Sequence, residues 1–144
     1  MRTNCFPLRS LVGAALAAAA AATSLSTAGC AAHRVRQRAD EGVTASYAFR
    51  TLYTELEPTV SVPTATAAAE QALRARGYAI ARTATSEDRG VVVAKHSGAR
   101  EFEKTVVESR VTRTGTSIAV RIEPFGDEAA SYAIMDALLS RIGR

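Results

Sequence analysis

From residue 47 onward, apolar and polar positions fall into two rhythms. Residues 47–56 carry Tyr47, Phe49, Leu52, Tyr53 and Leu56 among threonines. β-Forming residues dominate there, which predicts a strand. Strict alternation would set Leu52 and Leu56 on one face and Tyr47, Phe49 and Tyr53 on or beside the other. Pro63 then stands where a helix can begin, with Ser61 as its cap. Ala65, Ala69, Ala72 and Leu73 recur at helical spacing, and Arg74, Arg76 and Gly77 close a helix over 63–76. Its inner face is mostly alanine, so it can lie close to a sheet while burying little area.

Strands are predicted over 78–85, 91–94 and 102–112, separated by the turn segments Ser86-Glu87-Asp88-Arg89-Gly90 and Ser97-Gly98. Arg113-Thr114-Gly115-Thr116 makes a hairpin turn. In 117–123, Ile118, Val120 and Ile122 alternate with Ser117, Ala119, Arg121 and Glu123, the pattern of a strand with one buried face. Gly126-Asp127-Glu128 opens a second helix with its acids at the positive end of the dipole. Ala130, Ile134, Ala137, Leu138 and Ile142 form its apolar stripe, and Gly143 ends it. Two amphipathic helices need a common apolar surface, which one sheet face supplies. The expected domain is α+β in the order β-α-β-β-β-β-α: a five-stranded antiparallel sheet with both helices on one face. This order resembles the TATA-box-binding-protein-like fold, which also occurs in lipoprotein components of outer-membrane assembly machinery. Fold alone does not carry function.

Ahead of this domain the composition changes. Residues 1–10 hold two arginines and no acid, and 11–25 are small and apolar. Ser26, Thr27, Ala28, Gly29 and Cys30 follow, which completes the order of a secretory signal peptide. The apolar stretch is shorter than the ~20 residues that a spanning helix needs. The segment Thr27-Ala28-Gly29-Cys30 resembles the lipobox read by lipoprotein signal peptidase, with Thr27 where leucine is commonest. The resemblance implies a diacylglyceryl thioether on Cys30 and a further acyl chain on its amine, a combination that anchors stably where one chain is marginal. The alternative is ordinary cleavage, for instance after Ala28, which leaves Cys30 a free thiol. Residues 1–29 are thus expected to be removed, 30–45 to form the lipidated cysteine and a flexible tether, and 46–144 to form one domain. Arg34, Arg36 and Arg38 lie in that tether, and three arginines fall short of a basic lipid-binding cluster. In a Gram-negative cell, Ala31 after the cysteine, rather than Asp, resembles a lipoprotein sent to the outer membrane, facing the periplasm.

Charge and cysteine content change little beyond this. Arg2 and Arg9 lie in the leader and all 14 acids lie after it, so the remainder carries 16 basic residues against 14 acidic ones. That balance does not point to nucleic acid. The chain has only Cys5 and Cys30, so loss of the leader leaves no internal disulfide.

The run TSIAVRIEPFGDEAASYAIMDALLSRI from Thr116 resembles the end of a family of uncharacterised bacterial lipoproteins, the domain of unknown function 3568 family. Cys30, the alanine-rich segment 67–73, Gly77-Tyr78 and Phe125-Gly126-Asp127-Glu128 with Ser131 match its other pieces. Pro124 departs from the commoner small residue. The family has no assigned activity, so the resemblance speaks to architecture and location.

Candidate chemistry is sparse. His33 and His96 have no acid or cysteine at ligand spacing, and no serine sits in a nucleophile-elbow sequence. The pairs Glu55/Glu57, Glu87/Asp88, Glu101/Glu103 and Asp127/Glu128 are the minimum for acid–base work, yet turns and strand edges carry such pairs routinely. Glycines at 90, 98 and 115 are isolated, and there is no tryptophan for stacking. No enzyme activity, metal or cofactor is expected. The expected function is a membrane-anchored envelope binding or scaffolding module, with an envelope protein as partner and Tyr47, Phe49 and Tyr53 as its surface unless its own chain covers them. The alternative is a carrier of a small apolar ligand or lipid in a sheet–helix cavity.

Overall fold

A computed structural model describes residues 34–37 and 43–144. Seven strands and two helices follow one another: β1 (Arg34–Gln37), β2 (Thr44–Ala48), β3 (Thr51–Leu56), α1 (Val62–Ala75), β4 (Tyr78–Thr85), β5 (Arg89–His96), β6 (Lys104–Val111), β7 (Thr116–Glu123) and α2 (Glu128–Arg141). The strands form one sheet in the order β1-β2-β3-β7-β6-β5-β4, with every neighbouring pair antiparallel. The α+β class and the meander β4–β7 stand as expected. The count of five strands does not: β3 to β7 are the expected five, and β1 and β2 extend the sheet beyond β3.

The single strand expected over 47–56 is two strands. Phe49 and Arg50 both have positive φ, 48° and 65°. Two left-handed residues make the twist that joins antiparallel strands in a two-residue hairpin. Neither residue favours that backbone, so the sequence gives no turn signal. The loop that follows β7 compensates: Arg50 Nη1 donates to the Pro124 carbonyl at 2.8 Å. The expected tether 30–45 also contains β1 and the start of β2. Arg34 pairs with Tyr47 and Gln37 with Thr44, and an edge strand needs only backbone partners. Thr27, Ala28, Gly29 and Cys30 lie outside the described residues.

Both helices cover one face of the sheet. Leu52 and Leu56 of β3, Val92 and Ala94 of β5, Val107 of β6, and Ile118 and Val120 of β7 point into this layer and are buried. Helix α1 starts on Ser61, whose Oγ accepts from the Thr64 amide at 3.3 Å. Its alanines at 65, 68, 69 and 72 are buried and let the helix approach the sheet closely. The approach is tightest where Thr66 meets Gly90. Thr66 Oγ1 donates to the Val62 carbonyl at 2.8 Å and lies 2.7 Å from Ser109 Oγ, which leaves Ser109 as the donor of that second bond. Helix α2 starts on Asp127, whose Oδ1 accepts from the Ala130 amide at 2.9 Å. Its buried set is Ser131, Tyr132, Ile134, Met135, Leu138 and Leu139. This is wider than the expected stripe because α2 packs on α1 as well as on the sheet. Ser131 is buried at no loss, since its Oγ donates to the Asp127 carbonyl at 2.6 Å.

Candidate functional site

Alternation sends the other half of each strand to the opposite face, where no described element lies. Its centre is a shallow depression of about 350 Å³. Ala119 and Ser117 of β7 form its small-residue floor; Tyr53, Arg110, Arg121 and Val106 rise around it. The register explains the gathering: Tyr53 lies opposite Ala119, Thr51 opposite Arg121, and Arg121 opposite Val106.

Cations outnumber carboxylates on this face. Arg82, Arg89, Lys95, Lys104, Arg110 and Arg121 share it with Glu55, Glu108 and Glu123. Glu108 takes two cations at once, Arg110 at 2.9 Å and Arg89 at 3.4 Å. Glu123 takes Arg121 at 2.8 Å and Lys104 at 2.9 Å. Glu108 and Glu123 each orient two cations and neutralise one, so positive charge is left over at fixed positions.

The same pairing sets a pH dependence. The Lys104 ammonium bonded to Glu123, with Arg121 beside it, holds the Glu123 carboxyl below its ordinary value of 4.5, against an opposing effect of burial. A carboxyl lowered by folding adds stability above its unfolded pKa and loses it as pH falls through the folded one. Glu123→Gln is therefore expected to lower stability at pH 7 by about 0.5–1 kcal/mol, the scale of a surface ion pair. The gap between variant and wild type should close as pH falls below 4.5. Thermal melts across that range check this, and a gap independent of pH would refute it.

The structure separates the three aromatic residues expected to act together. Tyr47 lies opposite Leu52, on the helix side of the sheet, and packs against the core. Burial, with Glu128 and Asp127 nearby, pushes its hydroxyl's pKa up against the pull of Arg50. The loop after β7 closes over it: a Cβ at Gly126, where φ is +79°, would lie 2.7 Å from Tyr47 Oη and 2.8 Å from Arg50 Cβ. Phe49 stands at the hairpin tip. Only Tyr53 belongs to the uncovered face, where it is 46% exposed. The hairpin is the cause, since it reverses the chain between Tyr47 and Tyr53.

Of the other candidates, His96, Glu55, Glu57 and Asp127 have structural tasks, and His33 lies outside the described residues. His96 meets the Tyr78 ring edge-on at 5.0 Å, and its Nδ1 accepts from the Gly98 amide at 3.3 Å. Glu55 accepts from Thr112 at 2.6 Å and from Thr114, and these bonds hold its carboxyl below the ordinary range. Glu57 pairs with Arg144 at 2.5 Å, and Asp127 caps α2. Among the described residues no group of three or more His, Cys, Asp or Glu is placed to hold a metal. The layer between sheet and helices is filled by Leu52, Leu73, Ile118, Ile134, Met135 and Leu138, which an apolar ligand would have to displace.

Arg110 and Arg121 went unmarked by sequence reasoning as binding residues. Their signal was the alternation Glu108-x-Arg110 and Arg121-x-Glu123, which puts paired charges on one strand face. Comparison with curated proteins finds no match. A family model described as a protein of unknown function, DUF3568, matches residues 13–141. The match spans most of the chain, as the resemblance of the run from Thr116 led one to expect, and the protein belongs to the DUF3568 family.

Proposed function

We propose that this protein is a non-enzymatic binding module of the bacterial cell envelope, anchored through an acylated Cys30, whose uncovered sheet face docks an acidic segment of a partner protein. The surplus of fixed cations around a small-residue floor carries this reading. A strand face on which Glu108 and Glu123 are each shared by two cations attracts carboxylate side chains and repels basic ones. Tyr53 offers an apolar body and a polar tip at the same place, the combination enriched in binding surfaces. Anchoring raises the local concentration of both partners, so a modest patch suffices.

A photo-crosslinking amino acid in place of Tyr53, introduced in cells, tests the surface. The expected adduct maps to an Asp/Glu-rich segment of one envelope protein. It is lost from the Arg110→Glu, Arg121→Glu double variant, which circular dichroism shows still folded although its broken ion pairs to Glu108 and Glu123 lower its melting temperature. An adduct that survives charge reversal, or none at all, refutes the docking surface. Metabolic labelling with a fatty-acid analogue tests the anchor separately: label is expected on the wild type and absent from Cys30→Ala.

A further inference from the structure

The described residues include three phenylalanines, and none is in the core. Phe49 is 83% exposed, Phe125 72% and Phe102 56%. A residue type that is usually interior stands outside three times, and the topology gathers all three at one end of the sheet. Phe49 is in the β2–β3 turn, Phe125 follows β7, and Phe102 precedes β6. Thr51, just after the first turn, pairs with Arg121 near the end of β7; Lys104, at the start of β6, pairs with Glu123. The three loops therefore leave neighbouring strands β3, β7 and β6 side by side, with about 5 Å between adjacent strands.

The loops are built to hold these side chains out. The Arg50–Pro124 bond ties the first loop to the second. In the third, the Glu103 amide donates to the Arg100 carbonyl at 2.9 Å and the Arg100 amide to Glu103 Oε2 at 3.1 Å. This turn delays the strand expected over 102–112, which begins at Lys104 as β6, and puts Phe102 outside it.

The chain also enters the sheet at this end. Arg34, the first residue of β1, pairs with Tyr47, two residues before Phe49. Cys30 precedes Arg34 by four residues, which reach at most about 14 Å. The polar layer on each side of a bilayer's hydrocarbon is roughly 5–8 Å deep. An anchor that short keeps the three-phenylalanine end at the membrane and turns the opposite end, with the 86–88 and 112–115 turns, away from it.

We infer that Phe49, Phe102 and Phe125 form a membrane-contact surface that inserts between phospholipid headgroups of the leaflet carrying the Cys30 lipid. The inference rests on acylation of Cys30. Aromatic rings placed at headgroup depth bury apolar area without crossing the bilayer. Arg50 and Lys104 stand beside them, where cations meet phosphate. The domain then stands end-on, with its strands rising from the surface and the cationic sheet face turned sideways, open to a partner.

The absence of tryptophan from the chain makes the test direct. Full-length Phe49→Trp, Phe102→Trp, Phe125→Trp and, as a control, Tyr53→Trp are produced in cells and checked for fatty-acid label. They are then reconstituted in vesicles of phosphatidylethanolamine and phosphatidylglycerol that carry brominated acyl chains. Blue-shifted emission quenched by bromine is expected at the three tips, with red, unquenched emission at 53. Labelled protein whose tips stay red and unquenched overturns the membrane contact and leaves the anchor standing. Blue-shifted but unquenched tips overturn it in favour of a protein seated on the phenylalanines. Unlabelled protein whose tips are unquenched overturns anchor and contact together; unlabelled protein with quenched tips overturns the anchor alone and upholds the contact.

Discussion

Leu138→Ala will lower the free energy of unfolding by about 3–5 kcal/mol, the range for leucine truncations whose cavity cannot collapse. Leu138, on α2, is fully buried in the core that this helix shares with α1 and the sheet. The face that α1 buries is largely alanine, at 65, 68, 69 and 72, which offers few long side chains to swing in and fill the gap. The backbone of α1 cannot follow either, because the Thr66–Ser109 bond and the close approach at Gly90 fix its distance from β5 and β6. Urea denaturation followed by circular dichroism reads the result as a fall in midpoint at constant slope. Leu138→Met conserves volume and should cost less than about 1.5 kcal/mol. A loss below about 1 kcal/mol for Leu138→Ala would mean that the alanine face is free to sink inward.

Gly90→Ala will destabilise by about 1–3 kcal/mol, or more, by the opposite route of overfilling. The added Cβ would overlap Thr66 Oγ1 and lie 2.5 Å from Ser109 Oγ. Thr66 has no room to rotate away, since its hydroxyl is buried and engaged with both Val62 and Ser109. The substitution therefore breaks a buried hydrogen bond or lifts α1 from the sheet. The double variant Gly90→Ala, Thr66→Ala removes the obstructing atoms and should recover part of the loss, which chemical denaturation of the four proteins in the cycle measures. Equal losses in the single and double variants would show that the strain lies in the β5 backbone instead.

This threonine–serine–glycine contact was invisible in the sequence, and the reason is physical. Thr66 and Ser109 sit at positions that the apolar pattern leaves blank, and only the tertiary fold brings them together. The parts that could be read are those set by local chemistry. Ser61 and Pro63 start α1 and Asp127 starts α2, because caps act over three residues. Strict alternation at Ile118, Val120 and Ile122 located β7 and its buried face. Reading failed where partners lie far off in sequence. The Phe49–Arg50 turn has no glycine or asparagine and is held by Pro124, from another loop. β1 has no apolar rhythm and is defined by pairing with β2. Of the aromatic trio only Tyr53 reached the uncovered face, while Phe102 and Phe125, flanked by turn-forming residues, became companions of Phe49 through strand order alone.

The position of β3 between β2 and β7 also governs when the domain can assemble. A chain leaving the ribosome presents residues in order. The β2–β3 hairpin and α1 emerge early, but Leu52 meets Val120 and Leu56 meets Thr116 only after β7 has been delivered. Until then β3 has an unpaired side, α1 has an incomplete sheet beneath it, and the long loop between β3 and β7 has yet to be closed against its entropy. α2, which seals the core, comes last of all. A stable globule therefore exists only once β7 and α2 have been supplied, and folding becomes a single late step.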